Sequence, residues 1–463
     1  MKESRRHQTI QELQRLTSEL TAWKKKRIDA DTSDLGNYRG RYDSQLNHIE
    51  REISEAAKAV GGLLGGDLGG KTYGEVCREF NFHDQRIIWI RYVWDYFRER
   101  LDQRDDNALK PTLEAADEVL WSCYHPYFQD RNRPAPPPPI TGISYDYTAS
   151  ALKTQSGHVL ERRIDTLEGP MKEYFQNLPV GVLRLPPTVV TAPWTLGLIA
   201  HECGHFLQDA VEAGAPSSGR FADKVEAAVR RAGGAEADVK AWRRWSIEIF
   251  ADWMAVLALG PWSVWLLAPW VLTGQSGMLS RQAAYPSPLV RLLLIGQIAK
   301  GPYGTEQLLR DLGVFEQAAV TAESQLDWTV AKAVSGLVEQ PLGDSTERLA
   351  DHFDYRKGDY ALGGDVEQWA ESLLGRKPRS PVSGLRAARL VAAGALRAHH
   401  ELATTLDEKA LDPALAALKK RTEETLAKCH EEGKRLALPS FGESPIGGLA
   451  QALLHAREEE LMI

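Results

Sequence analysis

The amino-acid sequence predicts a mainly helical protein built around a small mixed α+β core. Three observations predict it. Apolar residues recur at helical spacing through both ends of the chain, and a helix-forming apolar stretch occupies its middle. One short alternating segment closed by prolines supplies the strand signal. At 463 residues the chain is long enough for two or three domains with ample cores. The boundaries are read as an N-terminal helical region at 1–132, a proline-rich linker at 133–140, a central domain at 141–344 and a C-terminal helical region at 345–463.

Residues 1–60 carry an apolar stripe among charges: Ile10, Leu13, Leu20 and Trp23, continued by Ile49, Ile53 and Ala56. This spacing predicts a helical hairpin that packs on the rest of the chain or offers a surface to a protein partner. Residues 61–70 are glycine-rich. Within them Gly65-Gly66-Asp67-Leu68-Gly69-Gly70-Lys71-Thr72 formally matches a phosphate-loop pattern. A helix rather than a Val/Ile-rich strand precedes it, so a flexible loop is expected, with a nucleotide-dependent switch as the rival. Residues 75–130 are helical and aromatic, with Trp89, Tyr92, Trp94, Tyr96 and Phe97. The run Pro134-Ala135-Pro136-Pro137-Pro138-Pro139 is the clearest boundary in the chain. Residues 179–187 alternate apolar side chains between prolines and predict an edge strand.

The next helix is the most informative. Leu196, Ile199, Ala200, Cys203 and Leu207 form the stripe of a buried helix, with Pro193 suited to its first turn and Thr191 to its cap. It contains His201-Glu202-Cys203-Gly204-His205. Residues four apart share a helix face, so His201 and His205 can aim a ring nitrogen each at one metal ion, while Glu202 reaches a water there as general base. Gly204 permits close approach of a neighbouring element, and Cys203, turned off the ligand face, is expected in the core. A catalytic zinc needs a third protein ligand and an open position. Glu248 is the candidate, on a second helical stretch, with Asp252 one turn on and suited to accept the spare N–H of His201 or His205. From residue 253 to 280 there is no charge, but Gly260-Pro261 and Pro269 punctuate the run, which predicts two short buried helices rather than a membrane span. Residues 345–463 are Ala/Leu/Glu-rich and helical, and His399-His400 reads as a solvated pair.

The HExxH pattern followed by Glu248-Ile249-Phe250-Ala251-Asp252 resembles the gluzincin zinc metallopeptidases. Tyr285-Pro286-Ser287-Pro288-Leu289-Val290-Arg291-Leu292 is similar to the His-Pro-Pro-x-x-x-Arg-Ile element of their CaaX-prenyl-protease-like group, with Tyr285 where that group has histidine. The resemblance covers roughly residues 175–300. It implies a zincin-like domain, His201, His205 and Glu248 as zinc ligands, and hydrolysis of a protein or peptide with Glu202 as base. It also implies that Tyr285 donates to the oxyanion, that Arg291 supports the site or donates in its place, and that the strand at 179–187 receives the substrate backbone. No Gly-x-Met-Glu-Asn anchor for an amino terminus occurs, which favours an endopeptidase. A regulatory protein with a silent peptidase domain is the other rival.

The net charge of −7, with acidic and basic residues mixed throughout, gives no nucleic-acid footprint. Four scattered cysteines suit a reducing cytoplasm rather than a disulfide framework, and the first residues lack the apolar segment of a signal peptide. The composition, with 13 tryptophans and abundant alanine and arginine, points to a bacterial source, where a regulatory, stress or defence protease is the expectation.

Overall fold

The computed structural model describes residues 1–33, 42–129, 137–144, 150–152, 169–176, 178, 180–212, 220–271, 277–278, 280–283, 285–299, 322–341, 348–352, 355–379, 386–432, 448–457 and 461. The chain is mainly helical. It opens with α1 (Lys2–Ser33), α2 (Asp43–Leu63), α3 (Tyr73–Asp102) and α4 (Lys110–Gln129). Strands β1 (Ile140–Ile143) and β2 (Ser150–Leu152), helix α5 (Gly169–Gln176) and strand β3 (Val182–Leu185) follow. Then come α6 (Leu198–Glu212), α7 (Phe221–Arg231), α8 (Glu236–Leu259), α9 (Trp262–Val271) and α10 (Pro288–Ala299). The last group is α11 (Ala322–Ser335), α12 (Asp365–Leu373), α13 (Ala387–Thr405), α14 (Glu408–Glu432) and α15 (Gly448–His455).

These elements sort into two hydrophobic clusters. The first gathers α1, α2 and α3 around Leu16, Leu20, Ile53, Trp89 and Trp94. Its polar seams are specific: Trp23 Nε1 donates to Asp102 at 2.9 Å and Thr9 to Asp84 at 2.7 Å. The end of the chain returns to this cluster, since α15 packs on α2 and α5. Arg86 donates to the Leu453 carbonyl at 2.9 Å and Trp89 to that of Leu461 at 3.1 Å. The second cluster holds α4 and α6 to α14, centred on the buried rings of Trp242, Trp245, Trp253 and Trp262. Large rings dominate such a core because each removes about 150–250 Å² from water.

The predicted edge strand is a correction. β3 is the middle strand of a three-stranded sheet ordered β1-β3-β2, parallel to β1 and antiparallel to β2. All four of its residues are buried, so the run of apolar residues between prolines reflects a central strand covered on both faces. Within the described residues the outer strands are β1 and β2, and β2 packs against α6. Of the proline-rich segment, residues 131–136 lie outside the described residues. Residues 137–139 are buried, and Gln45 donates to the Pro138 carbonyl at 3.2 Å.

The uncharged run is divided at Gly260-Pro261 as expected, but Pro269 lies inside α9, and the first part of the run is the end of the 24-residue α8 rather than a short helix. α8 ends at Leu259, Gly260 takes φ +59°, and α9 starts two residues later. A side chain at Gly260 would also strike the Tyr360 ring at 2.4 Å. Among the described residues, no helix is long and apolar enough to cross a membrane. His399 and His400 are packed rather than solvated. His399 stacks on Trp194 at 4.7 Å and accepts from Trp265 Nε1 at 3.1 Å, while His400 is buried against Trp262 and Trp265. Both sit on α13, which closes over the segment leading into α6, so two polar rings serve as flat packing surfaces there.

Candidate metal centre

α6 does not begin as its sequence predicts. Thr191 caps nothing: its hydroxyl donates back to the Thr188 carbonyl at 3.1 Å. Pro193 instead opens a 3-10 turn, Pro193–Gly197, which runs straight into the α-helix at Leu198. The proline preference for a first turn is met, one turn earlier than the α-helix proper. Leu196, Ile199, Ala200, Cys203 and Leu207 are all fully buried, and this stripe fixes the rotation of α6. The opposite side turns His201 and His205 toward α8.

The two helices meet at Gly204. A Cβ there would lie 2.7 Å from Ala251 Cα and 3.1 Å from Met254 Cβ, so only glycine allows this crossing. The contact brings Glu248, one turn before Ala251, over the two imidazoles. Glu248 Oε2 lies 3.3 Å from His201 Nε2 and 3.7 Å from His205 Nε2. Ligand atoms of these three residues all fall within 4.8 Å of one another. Tetrahedral zinc with bonds of about 2.0–2.1 Å separates its ligand atoms by roughly 3.4 Å, so the spacing fits a single ion. A second observation agrees. Among the described residues, buried Glu248 Oε2 and His201 Nδ1 each lack a partner at good hydrogen-bond geometry, although an unpaired buried carboxylate oxygen is costly. A metal ion would satisfy that oxygen and the Nε2 atoms of both rings at once.

Behind the cluster stands Asp252, fully buried one turn along α8. Its Oδ1 is 2.9 Å from His201 Nδ1, and its two oxygens accept from Arg291 at 2.7 and 2.8 Å. The sequence left open which histidine Asp252 serves; it is His201. Arg291 is buried on α10 and reaches the centre through Asp252, which gives it a supporting place.

Charge balance follows from this arrangement. Burial alone would raise Asp252, but the Arg291 guanidinium and His201 hold it down at about 2. Burial likewise opposes the Glu248 carboxylate, and the two histidines keep it below its ordinary value. Burial lowers His201, yet Asp252 and Glu248 overcome that and lift it to about 10, while burial and His201 push His205 down to about 4. Glu202, Glu248 and Asp252 together outnumber Arg291, so the metal-free centre collects a proton on His201 where a cation would otherwise sit.

Glu202 is buried beside His201 and both line a cavity of about 160 Å³ with Tyr285 and Arg291. The Arg291 guanidinium lies 4.6 Å from the centre of the Tyr285 ring. Burial, with the nearby Glu248 charge, pushes the Tyr285 phenol up to about 12, so it keeps its proton at neutral pH. Sequence reasoning missed what holds Tyr285. Arg281 donates to Asp327 at 2.7 and 2.8 Å and to Asp238 at 2.8 Å, and Trp242 Nε1 donates to the same Asp327 at 2.9 Å. Gln282 N then donates to the Tyr285 carbonyl at 3.1 Å and Trp245 Nε1 to the Gln282 carbonyl at 3.2 Å. Asp327 lies on α11, 75 positions beyond Asp252, and no local pattern marks it.

The glycine-rich segment takes a different form from a phosphate loop. It follows helix α2, its Lys71 ammonium pairs with Glu79 at 2.5 Å, and Thr72 caps α3 in a reciprocal pair with Glu75. The lysine and hydroxyl that would hold phosphate and metal are thus engaged in starting a helix.

The chain was compared with family models, with curated proteins and with solved structures, and none matches it.

Proposed function

We propose that the chain is a zinc-dependent endopeptidase of the gluzincin type, with a zincin-like core formed by the β-sheet, α6 and α8. One observation carries the reading: two imidazoles on α6 and a carboxylate on α8 converge on one point, with a second carboxylate, Glu202, facing the adjoining cavity. The donor set of two neutral nitrogens and one carboxylate suits zinc, and Asp252 and Arg291 supply the outer hydrogen bonds such ligands need.

When bound, zinc supplies Lewis acidity and brings the pKa of a water to about 7. The chain's own residues do the rest. Glu202 takes the water's proton as its oxygen attacks the scissile carbonyl, then passes that proton to the departing amine. Tyr285 retains its phenolic proton at neutral pH and donates to the developing oxyanion. Asp252 Oδ1, 2.9 Å from His201 Nδ1, favours the proton on that nitrogen and so leaves the Nε2 lone pair for the cluster. Arg291 keeps Asp252 ionised while it does so. The substrate is a protein or peptide, and the helical ends offer surfaces for a protein partner. None of the four cysteines forms a disulfide, in keeping with a cytoplasmic protein.

The test is metal analysis joined to proteolysis. Wild type is expected to hold about one zinc per chain and to cut an unfolded protein substrate. Glu248→Ala is expected to lose most of the metal, and Glu202→Gln to keep the metal and lose the cutting. A wild type that cuts nothing, with a cellular role that Glu202→Gln leaves intact, would leave the silent-domain reading in its place, and full cutting by Glu202→Gln would remove Glu202 as the base.

A further inference from the structure

The turn that carries Tyr285 is tied to one face of α8. Asp238, Trp242 and Trp245 fall at i, i+4 and i+7 on that helix and so share a face. Trp245 stands one turn before the ligand Glu248. Arg281 reaches this face from the turn. Its guanidinium donates to both oxygens of Asp327 at 2.7 and 2.8 Å and to Asp238 at 2.8 Å. Trp242 Nε1 holds the same Asp327 at 2.9 Å, and Trp245 Nε1 donates to the Gln282 carbonyl at 3.2 Å. Asp238 is itself fixed, because its second oxygen accepts from Ala235 N at the start of α8 at 2.9 Å. Asp327 is 2% exposed, so salt screens this ion pair little.

We infer that Arg281, resting on the peptidase reading above, is a positioning residue: it sets the distance between the Tyr285 phenol and the metal ligands by fastening the Tyr285 turn to the helix that bears Glu248. A turn has no ladder of backbone bonds to hold it, and an oxyanion donor out of place by about 1 Å costs about 10²-fold in rate. The fastening supplies what the turn lacks. Gln282 N donates to the Tyr285 carbonyl at 3.1 Å, so whatever fixes Arg281 and Gln282 also fixes Tyr285. On the far side of the turn Leu289 N donates to the Met278 carbonyl at 3.0 Å, which closes it against the start of α10. Arginine suits this task because its planar fork addresses two carboxylates in fixed directions, whereas a lysine ammonium keeps the charge without the direction. Arg281 does not line the cavity, while Gln282 and Tyr285 do, so its influence on the chemistry passes through them.

The test reads Tyr285 itself as well as turnover. Full-length protein is labelled with fluorotyrosine, and the fluorine resonance of Tyr285 is identified by its absence in Tyr285→Phe. In Arg281→Met that resonance is expected to shift and broaden, with zinc content and circular dichroism unchanged. Arg379→Met, which removes an arginine paired with Asp365 at 2.8 Å and lying over the Trp369 ring, is expected to leave it in place. Arg281→Lys is the milder second variant, with a smaller shift expected, and it carries the same readouts if the methionine variant does not fold. In steady-state kinetics Arg281→Met is expected to lower kcat by about 10- to 100-fold with KM near that of wild type. Made on Tyr285→Phe, the same substitution is expected to cost less than about threefold, because the group it places is already gone. An unmoved Tyr285 resonance overturns the inference, and so does an equal loss of kcat with and without the phenol. A shifted resonance in a protein whose wild type cuts no peptide upholds the fastening of Tyr285 and overturns the peptidase reading.

Discussion

Asp252 grips Arg291 through both carboxylate oxygens, at 2.7 and 2.8 Å, and with one of them also faces His201 Nδ1 at 2.9 Å. A single buried side chain thereby ties α8 to α10 and to the ligand helix α6. Asp252→Asn keeps the shape and removes the charge. It leaves the Arg291 guanidinium buried with a neutral partner and no longer favours the Nδ1–H form of His201. The expected cost is about 3–5 kcal/mol of folding stability, the penalty of breaking a buried ion pair, together with a 10- to 100-fold loss of zinc affinity. Denaturant melts and competition with a chromophoric chelator measure the two effects. A variant that binds zinc as tightly as wild type would remove Asp252 from the metal centre.

Tyr285→Phe isolates the phenol. The ring and its contact with Arg291 remain, and only the donor is lost. A single lost oxyanion donor lowers kcat by about 10²–10³-fold. KM and zinc content are expected to stay near wild type, because the interaction forms in the transition state. The phenol is pushed up to about 12, so its ionisation is not expected to produce an alkaline limb in the activity profile below about pH 11. A rate unchanged in steady-state kinetics would assign the oxyanion to another donor.

Gly204→Ala sets two effects against each other. Alanine raises helix propensity by about 1 kcal/mol, but the new methyl group would meet backbone, Ala251 Cα at 2.7 Å, which cannot rotate aside. Overpacking of about 1–3 kcal/mol therefore wins, and the parting of α6 from α8 carries Glu248 off the two imidazoles. Lower thermal stability and weaker zinc binding are expected together. Gly74→Ala is the control: it lies in the first turn of α3 with nothing within 4 Å, so it should be neutral or stabilising by about 0.5–1 kcal/mol. If both variants melt like wild type, the helix crossing is looser than its geometry indicates.

What the sequence made legible was local. The i, i+4 histidines, the apolar stripe behind them and the Glu248/Asp252 pair all sit on single helices, where spacing alone fixes direction. The breakers Gly260-Pro261 divided α8 from α9 for the same reason. What stayed hidden was set by long-range packing. β3 looked like an edge because its prolines flank it, yet its standing depends on partners 30 or more positions away. His399 and His400 looked solvated because nothing nearby in the chain shows that Trp194, Trp262 and Trp265 cover them. Arg281 has no motif, since its partners Asp238 and Asp327 come from two other helices.

Packed histidines held below their ordinary value shape the response to acid: His83, His125 and His399 outside the metal centre and His205 within it. His125 is nearly fully buried on α4, stacked on Trp121 at 4.2 Å, and neither ring nitrogen has a hydrogen-bond partner among the described residues. His399 accepts from Trp265 Nε1 through Nδ1, a bond that a protonated ring could not accept. Burial pushes both down to about 4. In the unfolded chain each titrates near its ordinary value of about 6.5. As pH falls from about 6.5 toward 4, the unfolded state takes up protons that the folded state refuses. The stability these rings leave intact above about pH 6.5 is therefore lost across that window. Carboxylates do not yet contribute between about pH 6.5 and 5, since their ordinary values lie near 4. His201, lifted to about 10, is protonated in folded and unfolded metal-free chains alike at the lower end of the window. The urea midpoint of chelator-treated protein is thus expected to decline between pH 6.5 and 5. His125→Phe, which keeps a flat ring and removes the titrating nitrogens, is expected to flatten that slope by roughly 1 kcal/mol across the interval. An identical slope in wild type and variant would mean that water reaches the His125 ring and that it charges inside the fold.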